Sequence, residues 1–166
     1  MLALGRFPAD MPLMIELTFE FWTEAETNSF GTRLATALKP GDVVCLEGPL
    51  GAGKSTLARG LIRALSGAHD IPSPTFTLVE TYAVPGGDLW HFDLYRLEKQ
   101  SDVWELGFED ALESGISIIE WPGKIDGILP DDALRLFIEV QPKAMRRLRL
   151  VAPDRWMPAL KRCGIT

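Results

Sequence analysis

The chain is poor in the residues that build disulfide scaffolds and metal clusters. Only two of its 166 residues are cysteine and two are histidine. Cys45 and Cys163 lie far apart and share no disulfide or metal-ligand spacing. That excludes a stapled secreted fold and a zinc site, and sets a reducing, cytoplasmic compartment as the expectation. No apolar run approaches the roughly 18 residues of a membrane span, so no membrane partner is expected. Met1–Pro8 lacks the apolar centre of a secretory signal. The first strand-like pattern begins near Leu13, so residues 1–12 are expected to be a frayed extension. A general surplus of positive charge is missing too. The net charge of −6 argues against a stand-alone nucleic-acid binder. The cations are nevertheless uneven: Lys143 to Arg162 holds seven basic residues against Asp154 alone. Such a stretch is either the solvated face of a terminal strand and helix or a patch for RNA or an acidic partner.

What the chain does have is Gly48-Pro-Leu-Gly-Ala-Gly-Lys-Ser55, a match to the phosphate-binding pattern G-x-x-x-x-G-K-[ST]. Glycines let the backbone curl so that successive N–H groups converge on an anion. Lys54 can reach the β- and γ-phosphates, and the Ser55 hydroxyl can ligand Mg²⁺. The pattern needs a buried strand before it and a helix after it. Val43–Glu47 is a short apolar run behind the turn Pro40-Gly41-Asp42. Leu57, Ala58, Leu61, Ile62 and Leu65 recur at helical spacing, and the helix should end near Ser66-Gly67.

The remaining pattern is α/β without strict alternation. Leu13 to Phe19 reads as a strand. Thr23 and Glu26 form a capping box that opens a helix to about Leu38, burying Phe30, Leu34, Ala37 and Leu38. Ile71-Pro-Ser-Pro74 is a rigid loop. Thr75–Val84 and Leu89–Tyr95 read as a hairpin about Pro85–Asp88. Ser101–Glu113 is helical with a break at Gly107, and Ile116–Ile119 is a buried strand ending at Glu120. Lys124–Leu129 is a loop or short helix. Ala133–Val140 and Arg146–Val151 form a second hairpin, and Asp154–Arg162 a terminal helix. One domain over residues 1–166 is expected: a three-layer P-loop NTPase fold with a mixed, mainly parallel sheet and hairpin additions. Its site would lie at the carboxyl ends of the parallel strands.

Nucleotide-bound Mg²⁺ calls for an acid beyond the loop hydroxyl, often one ending an apolar strand, and Glu120 has that placement. Asp93 stands among large apolar residues in Trp90–Arg96. A carboxylate there faces solvent, pairs with a cation such as Arg96, or serves a site. His91 shares its strand face, so it either orients a carboxylate or is a satisfied structural imidazole. No N-K-x-D guanine reader follows the loop, which favours ATP over GTP. The protein-kinase loop set is missing as well.

Taken in order, Gly48–Thr56, Ser73-Pro-Thr-Phe-Thr-Leu-Val79, His91-Phe-Asp-Leu-Tyr-Arg-Leu97, Glu105-Leu-Gly107 and Ile119-Glu-Trp-Pro122 closely resemble the TsaE (YjeE) family. The resemblance runs from about Glu24 to Val140. It implies a slow, Mg²⁺-dependent ATPase of tRNA threonylcarbamoyladenosine biosynthesis. Such proteins act with the TsaD–TsaB pair, which modifies the adenosine beside the anticodon, and tRNA is met only through that complex. ATP hydrolysis is expected to reset the pair between turnovers.

By position, the resemblance implies that Gly48, Leu50, Gly51, Ala52, Gly53, Lys54, Ser55 and Thr56 hold the phosphates. Ser55 and Glu120 would hold the metal. Lys54, Asp93 and Glu120 would act in catalysis, with Asp93 positioning water or coupling to partners. Ser73–Phe76 matches a mobile, switch-like loop. Thr27 and Lys124 would line the base end. Pro49 stands where an acid is common, and Ser55 where Thr is usual; serine keeps the hydroxyl. A P-loop small-molecule kinase and an ATP-sensing module with little hydrolysis are the rival readings. No arginine-bearing lid insertion supports the kinase.

Overall fold

The structure, a computed structural model, describes residues 12–166. The expected extension over residues 1–12 therefore lies almost wholly outside the described residues. Seven strands form one sheet in the order β1-β7-β6-β2-β5-β4-β3. They are β1 (Met14–Phe21), β2 (Val43–Glu47), β3 (Val79–Val84), β4 (Gly87–Asp93), β5 (Ile116–Glu120), β6 (Leu134–Val140) and β7 (Arg146–Pro153). Strands β6, β2, β5 and β4 are mutually parallel, and both flanks are antiparallel. Since β1 is antiparallel to β7, it shares the central direction, so only β3 and β7 run against the rest. The sheet is thus mixed and mainly parallel, as expected of a P-loop NTPase-like α/β fold.

Alternation along the strands divides the core. Val44, Leu46, Leu89, Ile116 and Ile118 face one cluster, which receives α1 (Glu24–Ala35), α2 (Lys54–Ser66) and α4 (Met157–Arg162). Val43, Cys45, Phe92 and Ile119 face the other, under α3 (Phe108–Ser114) and two 3₁₀ segments, Gln100–Leu106 and Pro122–Ile128. Cys45, fully buried there, has its thiol pushed up to about 12 by desolvation. Helices α1 and α2 cross closely because each presents a glycine. A Cβ on Gly31 would stand 3.1 Å from the Leu57 carbonyl, and one on Gly60 would stand 3.0 Å from that of Asn28.

Local chemistry sets most boundaries. Thr23 caps α1 through the Glu26 N–H at 3.2 Å, and the Glu26 carboxylate accepts from the Thr23 N–H. The helix stops at Ala35, three residues short of the expected Leu38, where the chain tightens into i→i−3 bonds from the N–H groups of Thr36, Ala37 and Leu38 to the carbonyls of Arg33, Leu34 and Ala35. Gly107, at φ +86°, divides the 3₁₀ segment from α3. Strand β3 starts at Val79 rather than Thr75, since Pro74 to Leu78 close a turn on the Leu78 N–H. Strand β4 ends at Asp93 rather than Tyr95, because the Asp93 carboxylate accepts the Tyr95 N–H at 3.1 Å. The basic segment forms β7 and α4, and three of its arginines pair with acids at the surface. Arg147 pairs with Glu20, Arg149 with Glu16, and Arg155 with Asp132.

Candidate functional site

The site grows from three parallel strand ends. Strand β2 delivers the loop Gly48–Gly53, and α2 starts at Lys54. Gly51 and Gly53 have φ of +76° and +109°, backbone that side chains rarely adopt. Gly48 has a second constraint, for a Cβ there would lie 2.5 Å from the Ile138 carbonyl of β6. The Lys54 ammonium is 5% exposed and donates to the carbonyls of Gly48 at 2.6 Å and Pro49 at 2.9 Å. It also lies 4.1 Å from the centre of the Trp121 ring, a cation–π contact. Burial pulls its pKa below the usual lysine value, and the charges of Glu120 and Asp93 oppose that shift.

Parallel pairing of β4 with β5 sets Leu89 opposite Ile116, His91 opposite Ile118 and Asp93 opposite Glu120. All six share the face that meets α2, so an apolar row turns polar where it reaches the loop. There Ser55 Oγ donates to Glu120 Oε2 at 3.1 Å, and His91 Nε2 meets Glu120 Oε1 at 2.9 Å. A carboxylate only accepts, so Nε2 is the donor of this pair. Nδ1 is buried and has no partner. His91 thus orients a carboxylate, and that carboxylate is Glu120 rather than its strand neighbour Asp93.

Asp93 takes two other donors: Tyr95 N–H on Oδ1 and Thr75 Oγ on Oδ2 at 3.3 Å. Arg96, the cation considered for it, stacks instead on Phe76, 4.5 Å from the ring centre. Thr75 in turn shares a 2.8 Å hydrogen bond with Ser73. The Ser73–Phe76 loop therefore meets the site through Thr75, while Phe76 points away at 79% exposure.

These groups line one cavity of about 470 Å³. It gathers Thr27, Leu50, Gly51, Ala52, Gly53, Lys54, Ser55, Thr56, Asp93 and Glu120, ten of the twelve residues expected from sequence. Gly48 stays behind the loop, where it supports the turn. Lys124 is exposed on the 3₁₀ segment and outside the cavity lining. Eight lining residues stand outside that set: Trp22, Thr23, Glu24, Thr75, Tyr95, Trp121, Ala144 and Arg146, of which Thr75 belongs to the switch-like loop. A faint signal existed for Trp121, a large aromatic directly after a strand-ending acid. The rest depend on which strands become neighbours.

Mg²⁺ is bound by hard oxygens, commonly one or two from protein with phosphate and water completing an octahedron. Ser55 Oγ and Glu120 Oε2, 3.1 Å apart at the helix start, are a donor set of that kind. No cluster of three or more His, Cys, Asp or Glu suited to a metal occurs among the described residues. No helix among them is long and apolar enough to cross a membrane.

Comparison with known proteins agrees with this geometry. The family described as "Threonylcarbamoyl adenosine biosynthesis protein TsaE" matches residues 21–148. The chain is 41% identical over 118 residues to the TsaE protein of Rickettsia felis, covering 70% of this chain and 69% of that protein. It is 35% identical over 127 residues to the TsaE protein of Bacillus subtilis, covering 76% and 79%. Its fold superposes on the crystal structure of Bacillus subtilis YdiB with a TM-score of 0.74 at 27% identity, over 92% of this chain and 96% of that one. The family match reaches from the end of β1 through the loop, both site carboxylates and the start of β7, and on that extent the chain belongs to the TsaE family of tRNA threonylcarbamoyladenosine biosynthesis proteins.

Proposed function

We propose that this chain binds ATP with Mg²⁺, hydrolyses it slowly, and supports threonylcarbamoyl modification of tRNA adenosine together with TsaD and TsaB. One observation carries the reading. The buried chain His91–Glu120–Ser55 ends at the first turn of the helix that follows a glycine-rich loop. That arrangement joins a phosphate cradle to a preset oxygen pair within one cavity.

The loop N–H groups and Lys54 hold the phosphates at the positive end of α2. Ser55 and Glu120 are the residues that would hold Mg²⁺, which would supply charge neutralisation for the phosphates. His91 keeps Glu120 in place. Asp93, held by Tyr95 and Thr75, faces the same cavity and orients water toward the γ-phosphorus. Water oxygen bonds to phosphorus, the bond to the ADP oxygen breaks, and the water proton leaves through Asp93 or the phosphate. Thr75 ties Asp93 to the Ser73–Phe76 loop, so a partner that moves that loop changes the rate. Thr27, with Trp22 and Leu50, forms the end where the base lies.

A phosphate-release assay with and without the TsaD–TsaB pair tests this. Slow release alone and a changed rate with the pair are expected. Fast turnover alone, or phosphoryl transfer to a small acceptor, would contradict it.

A further inference from the structure

We propose that Arg146 is a positioning residue of the phosphate cradle, an inference that rests on the nucleotide-binding reading above. The carbonyls of a loop whose N–H groups converge on an anion need donors of their own. Lys54 serves the carbonyls of Gly48 and Pro49. The Ala52 N–H also closes on Pro49, at 3.1 Å, and the Gly53 carbonyl takes the Leu57 N–H at 3.0 Å as the helix begins. The carbonyls of Gly51 and Ala52 have no donor from the loop itself. Arg146 supplies both, with Nη2 on Gly51 at 3.2 Å and Nε on Ala52 at 2.9 Å.

The peptide plane makes this matter for binding. A carbonyl and the next residue's N–H are held on opposite sides of one rigid unit. Fixing the Ala52 carbonyl on Arg146 therefore fixes the direction of the Gly53 N–H, on the other side of the same peptide. Fixing the Gly51 carbonyl holds the Ala52 N–H in the turn it closes. The guanidinium is itself fixed. Its Nη1 donates to the Ala144 carbonyl at 2.8 Å, and Arg146 begins β7 between Phe21 of β1 and Val140 of β6. Lys143 and Ala144, just before it, both adopt left-handed backbone at φ +62° and +59°. A planar fork with several fixed donors suits this task, and a single ammonium would not reproduce it.

Because it acts through the Gly53 N–H and the turn before it, which meet phosphates common to ATP and ADP, its loss should weaken both nucleotides alike. Calorimetric titration of the full chain with ATP and with ADP, for wild type, Arg146→Ala and Arg146→Lys, tests this. Arg146→Ala is expected to weaken both about tenfold, by factors agreeing within twofold, with Arg146→Lys intermediate. The Mg²⁺ concentration required for ATP binding should not move. Unchanged affinities accompanied by a lower melting temperature would make Arg146 a merely structural brace and overturn the proposal. A loss confined to ATP would place the guanidinium on the γ-phosphate and overturn it too. If Arg146→Ala does not fold, Arg146→Lys decides by the same criterion of equal loss against none. Wild type that binds neither nucleotide would overturn the nucleotide reading itself and this inference with it; wild type that binds alongside an unaffected variant overturns the inference alone.

Discussion

At the inner end of the cavity Glu120 is 2% exposed and is held by His91 behind it, while at the outer end Trp22 and Leu50 stand 59% and 69% exposed. The inner end is made of side chains from two parallel strands and a helix start, each fixed by a hydrogen bond to the next. The outer end is made from the corner between β1 and α1 and from an exposed loop residue. The difference follows from what each end would have to do. Charge stabilisation needs donors and acceptors that are already in place and dry, where they act most strongly. A flat base needs only an apolar surface and tolerates a looser one.

Substitutions at the two ends should therefore differ in kind as well as in size. Lys54→Ala removes the one ammonium among the loop's charge-assisted donors, and ATP affinity is expected to fall by more than about a hundredfold. A fluorescent-nucleotide titration with wild-type-like affinity would break the assignment of this end to phosphate. Asp93→Ala should lower turnover about a hundredfold, the lower range for losing a group that orients or deprotonates water, while ATP binding stays within about twofold. Circular dichroism must show the native fold, since a variant that simply unfolds returns Asp93 to a structural role. Glu120→Ala should raise the Mg²⁺ concentration needed for ATP binding about tenfold and leave binding in EDTA unchanged. An identical Mg²⁺ titration would show that the buried chain is not a metal-holding device.

At the outer end, Trp22→Ala should weaken ATP and ADP about fivefold alike, the smaller end of what base stacking contributes. A loss as large as that of Lys54→Ala would erase the contrast between the ends. The smallest effect is expected at Thr23, whose hydroxyl caps α1 beside Trp22. Thr23→Ala should lower stability by about 1 kcal/mol in urea unfolding, with nucleotide affinity nearly unchanged.

Much of this was legible before the fold was known, and for identifiable reasons. The loop, its strand and its helix are contiguous, so periodicity and glycine placement reveal them together. The Thr23–Glu26 box and the Gly107 break are decided within a few residues by hydrogen-bond supply and by positive φ. The strand ends were less legible, because Asp93 and Leu78 stop strands through turns that compete with the ladder. Arg146 was read only as part of a basic stretch. Nothing near it in the chain shows that it meets Ala52, 94 residues earlier. Lys124 is the opposite case: it follows Glu120 and Trp121 closely in the chain, and the 3₁₀ segment holds it at the surface, outside the lining.

Sequence by itself determined the glycine-rich loop between strand and helix, the alternating faces of the strands and the family, since each is written in short-range pattern. The tertiary structure alone decided which groups meet. Only the parallel register of β4 on β5 sets Asp93 opposite Glu120, and only the placement of β7 between β1 and β6 brings Arg146 to the loop. Short-range pattern follows from backbone sterics and local hydrogen bonding. Strand order is settled by how the whole chain buries its two apolar faces, a property that no single segment carries.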